Sequence, residues 1–244
     1  MKGAVITVGD EILIGQIVNT NAAWIGAQLT ALGLAVSDMI TVGDDATAIT
    51  EALTHCLSRA QVLIVTGGLG PTHDDITAKS ISKAFNVKYE FHKEAYSILE
   101  KYYGKKKFND GRKKMAKMPK SSFLIYNPSS AAPGFKIKNI FCLPGVPNIL
   151  KSMIENCKKF LIKGSKTHSK TLSLFTVESN ISKQMSIIQK KYKKFIDIGS
   201  YPFFRLGKIG VSIVCRSTSL IKLKKVNRDL IKMVKSKKIK ILKT

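Results

Sequence analysis

The run Thr66-Gly67-Gly68-Leu69-Gly70-Pro71-Thr72-His73-Asp74-Asp75-Ile76-Thr77 concentrates more chemistry than any other stretch of the chain. Glycines admit positive φ and let a ligand approach the backbone. Where such a loop enters a helix, free N–H groups and the positive dipole end suit a phosphate. The spacing is neither G-x-G-x-x-G nor a Walker loop, because no Gly-Lys-Ser/Thr follows. A plain tight turn would need only Asp74 or Asp75 as a helix cap. Three glycines before two adjacent carboxylates exceed that need, so a phosphate site is expected. Carboxylates beside phosphate repel it unless a hard cation lies between, and Mg²⁺ binds through one or two carboxylates plus phosphate oxygens. Glu11, Asp44 or Asp45, and Asp75 are the candidates to hold it, polarising a phosphoryl group or activating water. His73 reads equally well as a phosphate donor or general acid and as a loop residue without a role.

These groups need a scaffold that brings them together. Ala4 to Val8 reads as a buried strand stopping at Gly9-Asp10, and Thr20 to Leu32 as a helix stopped by Gly33. Leu34 to Val42 returns to strand, Asp44-Asp45 opens a helix, and Val62 to Val65 is a parallel-type strand. This alternation predicts a parallel sheet with helices on both faces, its ligands beyond the carboxyl ends of the strands. Gly9-Asp10-Glu11, Asp44-Asp45 and the Gly67 loop then meet on one rim. A short strand and helices are expected over 86–120, strands at Phe123 to Tyr126 and Ile140 to Leu143, and a helix near Asn148 to Leu161. A boundary is placed in the polar stretch Gly164 to Ser169. Beyond it come a strand (Thr171 to Val177), a helix (Ile181 to Tyr192), two strands around Gly207 to Gly210, a helix (Leu220 to Val234) and a frayed Lys235 to Thr244 tail. Gly207-Lys208-Ile209-Gly210 matches a G-x-x-G clamp by letter but falls between strand-like runs, so a hairpin turn is expected.

Bulk composition excludes several classes. The chain of 244 residues is 44% apolar and 23% charged, ordinary globular proportions. No run is long enough for a signal peptide or membrane span, so a cytoplasmic protein with no membrane partner is expected. Cys56, Cys142, Cys157 and Cys215 are scattered, without metal spacing, and read as small buried hydrophobes in a reduced compartment. Of the net charge of +25, residues 1–80 contribute three basic against eight acidic groups, and the rest 38 basic against eight acidic. Without aromatic–basic interleaving along the chain, the lysines read as a surface coat, and nucleic acid is not expected as a partner.

Taken together, Gly9-Asp10-Glu11-Ile12-Leu13 with Gly15, Asn19-Thr20-Asn21 and the loop at 66–77 resemble the CinA family. Asn127-Pro128, Ala132-Pro133-Gly134-Phe135, Pro144-Gly145-Val146-Pro147 and Gly199-Ser200-Tyr201-Pro202 continue the likeness over almost the whole chain. The resemblance implies a three-layer α/β/α domain of the MoaB/Mog, molybdopterin-binding type over residues 1–165. A smaller α+β, KH-like domain over 166–244 and a homo-oligomer, dimer or trimer, are also implied. It implies Glu11, Asp44 and Asp75 as the acidic, metal-holding and catalytic set for Mg²⁺ or another divalent metal. The substrate and phosphate contacts would be Thr66, Gly67, Gly68, Gly70, Pro71, Thr72, His73, Pro133, Gly134, Pro144 and Gly145. The implied activity is metal-dependent hydrolysis of an ADP-ribose-like pyrophosphate. The alternatives are molybdopterin binding or adenylyl transfer, and a non-enzymatic role beside nucleic acid. Long family members carry a carboxy-terminal amidase domain that would begin after this sequence stops, so no amidase activity is expected. Ser130 and Ala131 stand where the family often has glycine and threonine, and Asn148 where it has an acidic residue, which leaves the substrate open.

Overall fold

A computed structural model describes residues 1–158, 160, 167–205 and 207–242. The chain divides into two compact units, residues 1–164 and 165–244. The first half of the stretch in which the sequence places the boundary, 164–166, lies outside the described residues, as do Leu161 at the expected helix end and Lys243 and Thr244 of the tail.

The larger unit is organised by strands β1 (Lys2–Val8), β2 (Ala35–Val42), β3 (Val62–Thr66) and β8 (Ile140–Leu143), paired in parallel in the order β2-β1-β3-β8. β1 is buried on both faces from Gly3 to Val8, as expected where helices cover a sheet on each side. Alternate side chains feed two cores. Val5, Ile64 and Leu143 pack against helices α2 (Thr20–Ala31) and α7 (Pro147–Lys158). Ala4, Ile6, Leu63 and Val65 pack against α3 (Ala46–Arg59), α4 (Thr77–Ala84) and α5 (Lys93–Tyr103). The result is the expected three-layer α/β/α arrangement.

In one respect the sheet departs from expectation: it is mixed. β6 (Phe123–Ile125) and β7 (Gly134–Ile137) extend it beyond β8, both running in antiparallel pairings. Lys138 and Asn139 alone separate β7 from β8, and Lys138 takes φ +50°. So short a link can only return the chain as a hairpin, because a parallel crossover needs a dozen residues or more. Around this sheet lie the short helices α1 (Asp10–Leu13) and α6 (Asp110–Lys114) and the two-stranded ribbon β4 (Tyr89–Phe91) with β5 (Lys117–Pro119).

The smaller unit has its own sheet, in the order β10-β11-β9-β12, formed by β9 (His168–Phe175), β10 (Asp197–Arg205), β11 (Lys208–Ser217) and β12 (Lys240–Ile241). Its pairings are antiparallel. Helices α8 (Ser182–Tyr192) and α9 (Leu220–Ser236) cover one face through Leu174, Val211, Ile213, Val226 and Leu230. Gly207 sits at the β10–β11 turn with φ +70°, so the G-x-x-G letters do form a hairpin. The tail is more ordered than its composition suggests, because Lys240 and Ile241 pair with Phe175 and Leu174.

Candidate functional site

The carboxyl ends of β1, β2, β3 and β8 open into one cavity of about 730 Å³ within the larger unit. Gly9 and Glu11 follow β1, Asp44 follows β2, Gly67 to Pro71 follow β3, and Pro144 to Pro147 follow β8; all line it. Its volume lies within the range of small-molecule sites.

Packing leaves the Gly67 loop no freedom. Gly67 has φ +102°, and a Cβ there would stand 2.1 Å from the Val8 carbonyl oxygen. Gly68 has φ +64°, and its Cβ would stand 2.2 Å from Thr77 Oγ1. The loop is then tied down from three sides. Gly67 N–H donates to Leu143 O at 3.1 Å, Thr77 Oγ1 donates to Gly67 O at 2.9 Å, and Thr77 N–H donates to Gly68 O at 3.1 Å. Among the described residues, no protein acceptor pairs with the N–H groups of Gly68, Leu69 or Gly70. Three unspent donors on a fixed loop form an anion cradle. The cradle differs from the expected one in its source. Helix α4 begins only at Thr77, whose N–H is already engaged, and none of its residues lines this cavity, whereas Gly68, Leu69 and Gly70 do.

Glu11, Asp44, Asp74 and Asp75 face this cavity, with Arg112 as its one described cation. Asp75 does not cap α4. Its Oδ2 accepts from the Thr72 amide at 2.8 Å and from the Thr72 hydroxyl, closing the turn after Gly70-Pro71. Asp45 caps α3 by accepting from Ala48 N–H at 2.8 Å, which leaves Asp44 for the rim. There Asp44 and Asp10 exchange bonds: Asp10 N–H donates to Asp44 Oδ2 at 3.1 Å and Asp44 N–H to Asp10 Oδ1 at 3.2 Å. Partial burial raises the Asp44 carboxyl above its ordinary value. The charges of Asp10, Asp74 and Glu11 add to that rise, against the lowering effect of the Asp10 amide. Four carboxylates lining one cavity make it negative. Among the described residues no three His, Cys, Asp or Glu side chains are grouped closely enough to hold a metal by themselves. Such a donor set suits an ion that completes its shell with substrate oxygens and water, as Mg²⁺ does.

The remaining sequence candidates are dispersed. Pro144 and Gly145 line the cavity, whereas Thr66 lies beneath it, fully buried, donating to Pro144 O at 3.0 Å. Thr72 and His73 are exposed and do not line it. Pro133 faces a small neighbouring recess, and Gly134 is a sheet residue whose Cβ would lie 2.3 Å from Cys142 O. Gly134 is thus explained by close strand packing.

Some lining residues carried no role in the sequence reading. Asn21 Nδ2 donates to Gly145 O at 2.6 Å, an arrangement that fixes the amide orientation and leaves the buried Oδ1 without a protein partner. Asn19 caps α2 and reaches Thr7 and Thr41, each at 3.1 Å. Arg112 stacks its guanidinium 4.2 Å from the Tyr103 ring centroid. The Asn19-Thr20-Asn21 spacing was visible in the sequence. Nothing local marked Arg112, one cation among the lysines of 101–120. All four cysteines are buried and none is in a disulfide; burial pushes the Cys56 and Cys215 thiols up to about 11. No described helix is long and apolar enough to cross a membrane.

Residues 4–163 match the family described as probable molybdopterin binding domain, and residues 166–243 match the FAD synthase middle domain. A relative from Archaeoglobus fulgidus is 36% identical over 83% of this chain and 86% of its own length. A CinA-like protein from Desulforapulum autotrophicum is 39% identical over 64% of this chain, and the match spans 38% of that protein's length. The crystal structure of a CinA protein of unknown function from Thermoplasma acidophilum is 38% identical and superposes with a TM-score of 0.63. It covers 66% of this chain and 98% of its own.

Proposed function

The chain belongs to the CinA family and carries a probable molybdopterin binding domain, and from that premise we propose that its cavity binds and hydrolyses a nucleotide pyrophosphate of the ADP-ribose type with a divalent metal. One observation carries this reading: the unpaired N–H groups of Gly68, Leu69 and Gly70 share a cavity with four carboxylates. The amides suit phosphate and the carboxylates suit a cation, so the two halves of the site are compatible only when both ligands are present.

One or two of Glu11, Asp44 and Asp75 would hold the metal together with phosphate oxygens and water, and when bound it would supply Lewis-acid neutralisation of phosphate charge. The loop amides would keep the pyrophosphate in line, a positioning effect with a large share of the rate. A water oxygen then bonds to phosphorus, the bridging P–O bond breaks, and a nucleoside monophosphate and a sugar phosphate leave.

The test is AMP release from ADP-ribose, FAD and NAD with Mg²⁺, Mn²⁺ or Co²⁺. Turnover should need the metal and fall about 100-fold or more in Asp75→Asn, on the scale of lost transition-state stabilisation. The Thr72 bonds survive in that variant because the amide oxygen still accepts. Equal turnover in Asp75→Asn sinks the assignment. The family description favours one second reading, a pterin phosphate in the same cavity. Retention of a fluorescent pterin without turnover would establish it.

A further inference from the structure

We propose that the open face of the small unit's sheet binds single-stranded nucleic acid. Helices cover only the face of Leu172, Leu174, Ile198, Val211, Ile213 and Cys215. Side chains alternate along a strand, so Tyr201, Phe203 and Arg205 of β10 point the other way, with Lys208, Ser212 and Arg216 of β11 and Phe175 of β9. The aromatic–basic interleaving absent from the linear sequence is created by strand pairing.

Glycines shape the aromatic surface. A Cβ at Gly210 would lie 2.3 Å from Cζ of Phe203, and one at Gly199 would lie 2.8 Å from the Tyr201 hydroxyl. Both rings therefore lie over positions emptied of side chains, Phe203 across from Gly210 and Tyr201 along its own strand from Gly199. Tyr201 is 48% exposed. Cations surround the rings: Arg205 is 5.9 Å from the Phe203 centroid, Lys208 is 5.9 Å from that of Phe175, and Arg216 approaches the Tyr201 hydroxyl at 3.5 Å. The face holds one carboxylate, Asp197, already 3.3 Å from Arg216.

Aromatic rings between cations, the exposed Tyr201 among them, fit unpaired bases on a phosphate backbone, since stacking needs a ring and the backbone needs positive charge. The charge of the unit favours the same partner. Residues 165–244 contain 20 Lys and Arg against three Asp and Glu. A second copy of the chain docked face to face would set Arg205, Lys208 and Arg216 against their own kind. Duplex DNA would not open its bases to a flat sheet.

Fluorescence anisotropy of the full chain with labelled single-stranded DNA and RNA oligonucleotides, over a salt series, tests the proposal. Binding by either strand type should weaken about tenfold or more in Tyr201→Ala and again in Phe203→Ala, with the salt slope unchanged. Tyr201→Phe should retain affinity, which separates stacking from misfolding. Arg205→Gln with Lys208→Gln should instead flatten the salt slope. Binding that is steep in salt but indifferent to the rings would overturn the proposal in favour of a plain lysine coat. So would equal competition by polyglutamate of matched charge, which would indicate an acidic protein partner. Concentration-dependent dimerisation abolished by Tyr201→Ala would make the face a self-interface and overturn it as well.

Discussion

The two recognition surfaces proposed for this chain are built in opposite ways. In the larger unit the key donors sit on consecutive residues, Gly68 to Gly70, with Asp74 and Asp75 four and five residues further on. In the smaller unit Tyr201, Phe203, Lys208, Arg216 and Phe175 come from three strands and meet only because register brings them together. A loop site is written locally, and a sheet-face site is written in pairing. The charge differs as sharply, with four carboxylates on the cavity against one on the open sheet face.

Glycine substitution breaks the comparison most severely. Gly67→Ala combines φ +102° with a Cβ 2.1 Å from a carbonyl oxygen of β1, an interior strand that cannot retreat without moving its neighbours. A loss of about 3 kcal/mol or more is expected. Gly207→Ala meets nothing within 4 Å at φ +70° and should lose only about 1 kcal/mol, the cost of a left-handed backbone alone. Trp24, the chain's single tryptophan, lies in the larger unit, so its fluorescence in urea isolates the first effect. Gly67→Ala should move that transition to lower urea, and Gly207→Ala should leave it in place. Equal shifts would mean that the two units unfold as one.

A smaller effect separates the scaffold of the cradle from its chemistry. Thr77 is fully buried and holds both Gly67 O and Gly68 O. Thr77→Val keeps the volume and the backbone bond but leaves Gly67 O unpaired, a cost of about 1–3 kcal/mol. Loss of nucleotide affinity beyond the loss of stability would show that loop rigidity contributes to binding. Unchanged affinity would show that the amides find phosphate without Thr77.

The same local-versus-paired distinction explains what could be read from the sequence. The β-α alternation, the rim position of Glu11, Asp44 and the Gly67 loop, and the hairpin at Gly207 all follow from short-range signals, periodicity and turn residues. β7 escaped because Gly134 opens it directly after Pro133, which reads as a turn, and its direction is set by the Lys138-Asn139 link. Arg112 escaped, and Asn21 stood in a motif without a role, because their importance depends on partners 9 and 124 residues away, Tyr103 and Gly145. The open face of the small unit escaped for the same reason, since β10 alone reads as one aromatic-rich strand among many.

The smallest expected effect bears on the sign of the cavity. Asp44 is raised by burial and by Asp10, Asp74 and Glu11, so in the folded state it holds its proton to higher pH than in the unfolded chain. A raised carboxyl contributes fully to stability below its ordinary value near 3.8, and the contribution is lost as pH rises through the folded-state value. At neutral pH its charge is therefore a liability, reduced by solvent screening to less than about 1 kcal/mol. Asp44→Asn keeps the acceptor for the Asp10 amide and removes that charge. Without divalent metal the variant should melt about 2 °C higher at pH 7, and the gain should vanish below about pH 4. Adding millimolar Mg²⁺ should reverse the order, because the wild type alone keeps the full carboxylate set and is stabilised by binding. A variant that melts lower at pH 7, or a wild type indifferent to Mg²⁺, Mn²⁺ and Co²⁺, would mean that the crowded carboxylates serve the turns and not a cation.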